Sequence, residues 1–261
     1  MSEGSPFIEQ LETDGWAIAP AAVGGELLDD LARELERALV YRQEIRRRNR
    51  VDGNNDGTLH HLVADHPCFI LLLRELERFE PLLRAYFAGN FILNSYGGVI
   101  NQRGTTAYVH GVHRDIRFSS DVKRFMLNLL VMLDDFTLEN GATHLLSGSQ
   151  TMAQKPATDV FLRDSARAIG PRGSFLFFDS RLWHATGQST VDQPRRALTL
   201  TFTSPFFKQQ LDYPRLVGYE KKDLLSPFLR QVIGFNARVP ATLEEYYVAT
   251  ADRFYQRGQD D

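Results

Sequence analysis

Residues 125–133, FMLNLLVML, form a short β-rich run that carries a single polar residue, Asn128, inside it. Similar runs occupy the middle of the chain, where Gly, Asn, Asp and Ser separate them: residues 91–95, 107–113, 174–178, 182–186 and 197–203. Short strands at this spacing, with turn formers between them, predict an antiparallel sandwich or jelly roll.

Helical patterns flank this β-rich region. Leucines recur at helical spacing in residues 26–44, and residues 68–87 show a similar pattern. The polar residues 46–57 between them are predicted to form a loop, and residues 150–172 a partly helical excursion. Near the C-terminus, Thr242 is a predicted N-cap of a helix that continues from Tyr246 to Phe254.

These patterns predict a single domain over residues 1–261. We expect a helical part at about 1–90, a jelly-roll core at about 91–205 and a second helical part at about 206–261. The predicted fold class is α+β or mainly β, a cupin-like double-stranded β-helix with N- and C-terminal flanking helices.

Composition limits the classes of partner. The chain has 261 residues, 43% of them hydrophobic, and a net charge of −3, which gives no reason to expect a nucleic-acid or membrane-surface partner. The single cysteine, Cys68, suits a reducing compartment. The sequence shows neither an apolar run near the ~20 residues of a membrane span nor a signal peptide. We expect a cytoplasmic protein that acts on a small molecule, and a homodimer remains open.

The triplet His113-Arg114-Asp115 indicates a metal site. Positions i and i+2 of a strand point to the same face, so His113 and Asp115 can bind one ion. His184, in a strand-like stretch after residues 175–178, is the preferred third ligand. Two histidines and one carboxylate leave coordination positions open, as in the facial triad of non-haem Fe(II) oxygenases.

The residues around this triplet resemble the phytanoyl-CoA dioxygenase family of Fe(II)/2-oxoglutarate-dependent oxygenases. The most specific similarity is LDDFTLENGAT at residues 133–143, and the resemblance runs nearly end to end. It also covers LETDGWAI at 11–18, HRD at 113–115, GSFLFF at 173–178 before His184, and RRAL at 195–198. The sequence departs from the family at residues 147–150, which read SGSQ where P-G-S-H is usual.

The resemblance implies a site for the cosubstrate. It places the arginine that binds the distal carboxylate of 2-oxoglutarate at Arg195, with Arg196 as the alternative. The strand pattern favours Arg195, whose face carries small residues with room for a ligand. By resemblance Thr186 hydrogen-bonds the same carboxylate, unless it is an ordinary strand threonine. Asn128 either lines this pocket or is satisfied by the backbone.

The expected activity is hydroxylation of an unactivated C–H bond by Fe(II), 2-oxoglutarate and O₂, with release of succinate and CO₂. Halogenating relatives have a small residue in place of the carboxylate, so Asp115 favours hydroxylation. The substrate is expected to be a natural-product intermediate or an amino-acid-like metabolite. Desaturation or cyclisation at the same site, and a non-catalytic cupin-like binding protein, remain alternatives. Residues 46–57 and 150–172 are candidates for a lid.

Overall fold

The β-rich part of the chain folds into two antiparallel sheets. This computed structural model describes residues 6–51, 57–116, 124–249 and 252–253. Its strands are β1 (Trp16–Ala19), β2 (Thr58–His60), β3 (Ile92–Asn101), β4 (Met126–Met132), β5 (His144–Leu145), β6 (Ala166–Arg167), β7 (Phe175–Asp179), β8 (His184–Ala185) and β9 (Arg195–Thr203). The large sheet has the order β1-β7-β4-β9-β3-β2, and the small sheet has the order β6-β5-β8.

Helices pack against both sheets, most of them on one face of the large sheet. They are α1 (Pro6–Thr13), α2 (Glu26–Asn49), α3 (Pro67–Glu75), α4 (Glu80–Phe87), α5 (Thr158–Asp164), α6 (Tyr213–Val217), α7 (Pro227–Ile233) and α8 (Leu243–Tyr246). A single apolar cluster joins α2, α3, α4 and α7 to the strands, so the main core lies between helices and sheet. No helix among the described residues has the length and apolar character needed to cross a membrane.

The two faces of β9 have different environments. Leu198, Leu200 and Phe202 are buried in the cluster that the helices share. The opposite face carries Arg195 and Thr199, which line a cavity. This is the division that the alternating sequence predicts, because neighbouring side chains of a strand point to opposite faces. The architecture is therefore a mixed fold of helices and antiparallel sheet, with a cavity on the face away from the helices.

The predicted loop at residues 46–57 is wrong in its first part. Helix α2 continues through Arg46, Arg47 and Arg48 to Asn49, and Arg50 ends it in a left-handed conformation. Arginine is a good helix former, and cations are favourable near a helix C-terminus. Residues 52–56 of the predicted loop lie outside the described residues.

Two other predicted elements are interrupted. Residues 68–87 form α3 and α4 with a 3₁₀ turn between them, Glu77–Phe79, because Pro81 lacks an N–H and can stand only at a helix start. The predicted strand at residues 107–113 is interrupted by a 3₁₀ turn, Tyr108–His110. The Ala107 N–H donates to His110 Nδ1 at 3.2 Å. In that segment His113 pairs with His184 of β8.

The flanking parts also differ in detail from the prediction. The N-terminal part is not wholly helical, since it supplies β1 and β2, the two edge strands of the large sheet. Thr242 caps a helix as predicted and accepts a hydrogen bond from the Glu245 N–H at 3.2 Å. That helix ends at Tyr246, and Phe254 lies outside the described residues.

A buried polar network fixes the turn that follows β7. The Asp179 carboxylate accepts hydrogen bonds from Tyr86 Oη at 2.9 Å and from Arg181 Nε and Nη2 at 3.0 and 2.8 Å. Asp179 is 3% exposed, so its charge depends on these partners. The turn leads directly to His184, so the network connects the core to a predicted metal ligand.

We expect Tyr86→Phe to lower the free energy of unfolding by about 1–3 kcal/mol, because the substitution removes a hydrogen bond to a buried charged group. Urea denaturation of the purified protein measures this difference. Tyr41→Phe is the matched control, since Tyr41 is 53% exposed on α2 and should change stability little. Equal stability of Tyr86→Phe and wild type would contradict the role of the network.

Candidate active site

The residues of the predicted metal site lie on two segments that backbone hydrogen bonds join. His113 and His184 form an antiparallel bridge, with N–O distances of 3.0 Å from His113 to His184 and 2.9 Å in the reverse direction. The Asp115 N–H donates to the Ser180 carbonyl at 3.0 Å. The bridge adds His113 to the edge of the small sheet beside β8 and brings all three side chains together.

The three side chains are close enough to share one ion. Their ligand atoms all lie within 4.8 Å of one another. His113 Nε2 is 3.6 Å from Asp115 Oδ1, and His184 Nε2 is 3.7 Å from Asp115 Oδ2. Among the described residues this is the group of histidines, cysteines and carboxylates that could hold a metal ion. Two imidazoles and one carboxylate suit Fe(II) and leave positions open for other ligands.

Backbone carbonyls set the tautomers of both histidines. His113 Nδ1 lies 2.7 Å from the Gly111 carbonyl, and His184 Nδ1 lies 2.9 Å from the Leu182 carbonyl. A carbonyl only accepts, so each Nδ1 carries the proton and each Nε2 presents a lone pair to the metal position. Burial, and then the proximity of His184, lowers the pKa of His113 and favours the neutral form that binds metals.

Asn128 supports the carboxylate of this group. Its Nδ2 donates to Asp115 Oδ2 at 2.7 Å, and the Thr201 hydroxyl donates to Asn128 Oδ1 at 3.1 Å. The chain from Thr201 through Asn128 to Asp115 crosses from β9 to β4 and then to the ligand. It fixes one carboxylate oxygen, as supporting hydrogen bonds do in metal sites.

Arg195 lies in the same cavity with an uncompensated charge. Its side chain is 1% exposed, and Nε and Nη1 have no hydrogen-bond partner among the described residues. Burial lowers the pKa of Arg195 to about 9, so the group is still charged at neutral pH, with its guanidinium over the Phe136 ring at 4.2 Å. An unpaired buried cation is unfavourable, so these donors fit a bound carboxylate.

All six residues predicted for the site line one cavity of about 250 Å³: His113, Asp115, His184, Arg195, Thr186 and Asn128. The Thr186 backbone N–H donates to the Val109 carbonyl at 2.8 Å, which holds this residue against the 3₁₀ turn. Arg196 points elsewhere and binds Asp134 with Nη2 at 2.6 Å.

The sequence analysis missed several polar residues that line the cavity. Thr143 has a buried hydroxyl with no hydrogen-bond partner among the described residues. Its position at the end of the family-like stretch LDDFTLENGAT could have indicated a role in the site. His60 and Gln210 also line the cavity. No local pattern marks them, because the strand pairing of β2 and the segment after β9 bring them there.

Two histidines, a carboxylate and a buried arginine in one cavity define the class of non-haem iron oxygenases that use a 2-oxoacid. Comparisons with known proteins agree. A sequence profile of the phytanoyl-CoA dioxygenase family (PhyH) matches residues 11–197. The chain therefore belongs to this family, and the expected enzyme class, an Fe(II)/2-oxoglutarate-dependent dioxygenase, and its cofactors are confirmed.

Individual relatives match between half and nearly all of the chain. The uncharacterised protein Rv1501 of Mycobacterium tuberculosis is 29% identical over 98% of this chain and 97% of its own length. The iron/alpha-ketoglutarate-dependent dioxygenase penM of Penicillium thymicola is 29% identical over 52% of each chain. HygX of Streptomyces hygroscopicus, solved with nickel and 2-oxoglutarate bound, is 18% identical with a TM-score of 0.61. It covers 83% of this chain and 95% of its own, and supports the fold.

We expect Asn128→Ala to weaken metal binding by about 10- to 100-fold, because Asp115 loses the donor that orients its carboxylate. Anaerobic calorimetric titration with Fe(II) measures the affinity. Thr201→Val is the graded control: it removes the hydroxyl that holds Asn128 but leaves the bond from Asn128 to Asp115, so its effect should be smaller. Wild-type affinity in Asn128→Ala would show that Asp115 needs no support.

Proposed function

We propose that this enzyme hydroxylates an unactivated C–H bond of a small molecule, with Fe(II) held by His113, Asp115 and His184. The observation that carries the proposal is the buried, unpaired guanidinium of Arg195 in the same cavity as the three ligands. Arg195 is assigned to the distal carboxylate of 2-oxoglutarate because a dianion would compensate its charge and satisfy its donors.

The strand order supports a double-stranded β-helix. In the large sheet the order β7-β4-β9-β3 interleaves strands that are distant in sequence, and the small sheet with the His113 bridge supplies the facing half. If the His113 segment is counted as a strand and β1 and β2 as additions at the edges, the two sheets have the eight strands expected of a jelly roll. The metal ligands lie on the small sheet and Arg195 on the large sheet, so we place the cosubstrate between the sheets.

The chain's own residues bind and orient the reactants. Arg195 holds the distal carboxylate, and Thr186 offers a hydroxyl from the opposite wall of the cavity. Thr143 adds a second buried hydroxyl. When bound, iron and 2-oxoglutarate supply the oxidising power for inserting one oxygen atom of O₂ into a C–H bond, with release of succinate and CO₂.

The environment of the ligands suits this chemistry. Phe178 packs against His184 with ring centroids 4.9 Å apart, and Leu130 lines the cavity nearby. These apolar groups exclude water from one side of the metal position and limit competing reactions. The protein's contribution is to position the reactants and shield them.

The substrate is proposed to be a metabolite, either a natural-product intermediate or an amino-acid-like compound. A cytoplasmic location is part of the proposal and rests on the single, buried and unpaired Cys68. A homodimer stays a prediction.

We expect Arg195→Ala to weaken 2-oxoglutarate binding by about 10- to 100-fold, because charge-assisted hydrogen bonds to the carboxylate are lost. Anaerobic titration of the apoprotein with Fe(II) and 2-oxoglutarate measures this through the visible metal-to-ligand charge-transfer band. Iron binding itself should stay largely intact.

Arg196→Ala is the matched control for this titration. Arg196 is the neighbouring residue on the opposite face of β9, where it pairs with Asp134 and Glu36. The variant should lose stability and retain 2-oxoglutarate affinity. Absence of the band in wild type would overturn the proposed function, and a stronger loss in Arg196→Ala than in Arg195→Ala would overturn the assignment of the cosubstrate arginine.

A further inference from the structure

The charges assigned to the walls of the cavity cancel once iron and cosubstrate are bound. The charged side chains that line it, among the described residues, are Asp115 and Arg195. A metal dication beside Asp115 and the dianion of 2-oxoglutarate beside Arg195 together sum to zero, since the two histidine ligands are neutral. Any net charge that a substrate meets therefore comes from side chains around the cavity.

Arg46 supplies such a charge at the β2 end of the cavity, which Thr58, His60 and Tyr108 line. Its Nη2 donates to the Thr58 carbonyl at 2.8 Å, so the guanidinium is held against that wall. Desolvation, and then the charge of Arg46, lowers the pKa of His60. Burial, and then the charge of Asp115, raises the pKa of Tyr108, and Arg46 opposes this rise. The positive charge of Arg46 thus acts on two side chains of the cavity.

Two more cations lie beside the metal ligands. Arg114 stands between two of the ligands in the chain, and its Nη1 donates to the Met152 carbonyl at 3.2 Å. Burial and the charge of His184 lower the pKa of His113, and the charge of Lys155 lowers it further. Neither Arg114 nor Lys155 forms an ion pair with a described residue. The surroundings of the loaded site are therefore positive on two sides.

Two side chains at the β2 end have donors to offer. The Tyr108 hydroxyl and the His60 ring make no hydrogen bond to a described residue. Tyr108 is 51% exposed and packs edge-on against His113, with ring centroids 6.4 Å apart. At pH 7 the tyrosine keeps its proton and the neutral imidazole keeps one N–H. Two donors beside a cation match the two oxygens of a carboxylate.

The same charges disfavour other classes of substrate. Cations around a site attract an anion and repel a cation, and a neutral molecule gains nothing from them. A phosphate or phosphonate carries three terminal oxygens, more than the two donors satisfy. A carboxylate is the anion that the donors and the charge both fit.

We propose that the substrate is an acidic small molecule whose carboxylate binds at the β2 end of the cavity, where it accepts hydrogen bonds from Tyr108 and His60 close to the charge of Arg46. The inference rests on the proposed function, because it names the class of molecule that is hydroxylated at that site. Since the Tyr108 ring also packs against His113, a carboxylate at the Tyr108 hydroxyl leaves the rest of the molecule within reach of the metal position.

The test uses the full-length protein loaded anaerobically with Fe(II) and saturating 2-oxoglutarate. Four probes share one aromatic ring: phenylacetate, phenylacetamide, benzylphosphonate and phenethylamine. N-acetylleucine and its amide repeat the comparison on an aliphatic scaffold. Calorimetry gives each affinity, and perturbation of the charge-transfer band shows binding next to the metal. We expect each carboxylate to bind more tightly than its amide, the phosphonate and the amine, and to shift the band without abolishing it.

Variants then test the residues. Arg46→Gln removes the charge, and Tyr108→Phe and His60→Phe each remove a donor, so each should weaken the carboxylates about three- to tenfold and change the amides less. Arg46→Lys keeps the charge and should keep most of the preference for the carboxylate. Added salt should reduce the preference in wild type, because it screens exposed charges.

Arg48→Gln is the matched control for Arg46→Gln. It removes the same charge from α2 at an exposed position, about 200° around the helix from Arg46. It should bind every probe like wild type. The charge-transfer titration with 2-oxoglutarate should be unchanged in all of these variants, which shows that each is folded and loaded.

The outcomes separate this inference from the proposed function. A normal band with no binding of either carboxylate, or with tighter binding of an amide, the amine or the phosphonate, overturns the substrate class and leaves the oxygenase assignment standing. A carboxylate that abolishes the band displaces the cosubstrate, and this overturns the assigned place. Equal losses in Arg46→Gln and Arg48→Gln overturn the role of Arg46. Absence of the band in wild type overturns the oxygenase assignment itself.

Discussion

The pairing of residues 113–115 with residues 180–184 is the interaction on which the site depends. Three backbone hydrogen bonds of 2.9–3.0 Å align His113 with His184 and hold Asp115 beside Ser180. Without this pairing, the segments that carry the three ligands would have to be ordered separately when an ion binds, at a large cost in conformational entropy. Here the strand bridge orders them together, and the carbonyls of Gly111 and Leu182 then fix which nitrogen faces the metal.

Strand β9 connects the stability of the fold to its chemistry. Its helix-facing side chains belong to the core, so the strand cannot shift by one residue without turning Leu198 and Phe202 from the core towards the cavity. The same register fixes Arg195 at one end of the cavity and Thr201 beside Asn128 at the other. Burial of apolar area on one face therefore sets the distance between the cosubstrate arginine and the metal ligands.

Features that depend on local sequence pattern could be predicted, whereas features that depend on contacts between distant segments could not. Alternation along β9 was sufficient to distinguish Arg195 from Arg196, since the period of a strand is a local property. The predicted end of α2 was wrong because the turn-forming residues after Arg50 indicated a loop, whereas the arginines before it favour a helix. The bond from Asn128 to Asp115 and the arrival of His60 at the cavity depend on strand pairings far apart in sequence, which no local pattern contains.

The stability of the folded chain also depends on ligand binding. Arg195 is buried without an anion, and His113 and His184 present their lone pairs to the same point. Each arrangement is unfavourable in the folded protein alone, since buried charges and polar atoms need partners. A metal ion and a dicarboxylate bind only the folded form with this geometry, so they stabilise it by mass action. The residues that lower the stability of the unliganded chain are thus the ones that give it affinity for iron and cosubstrate.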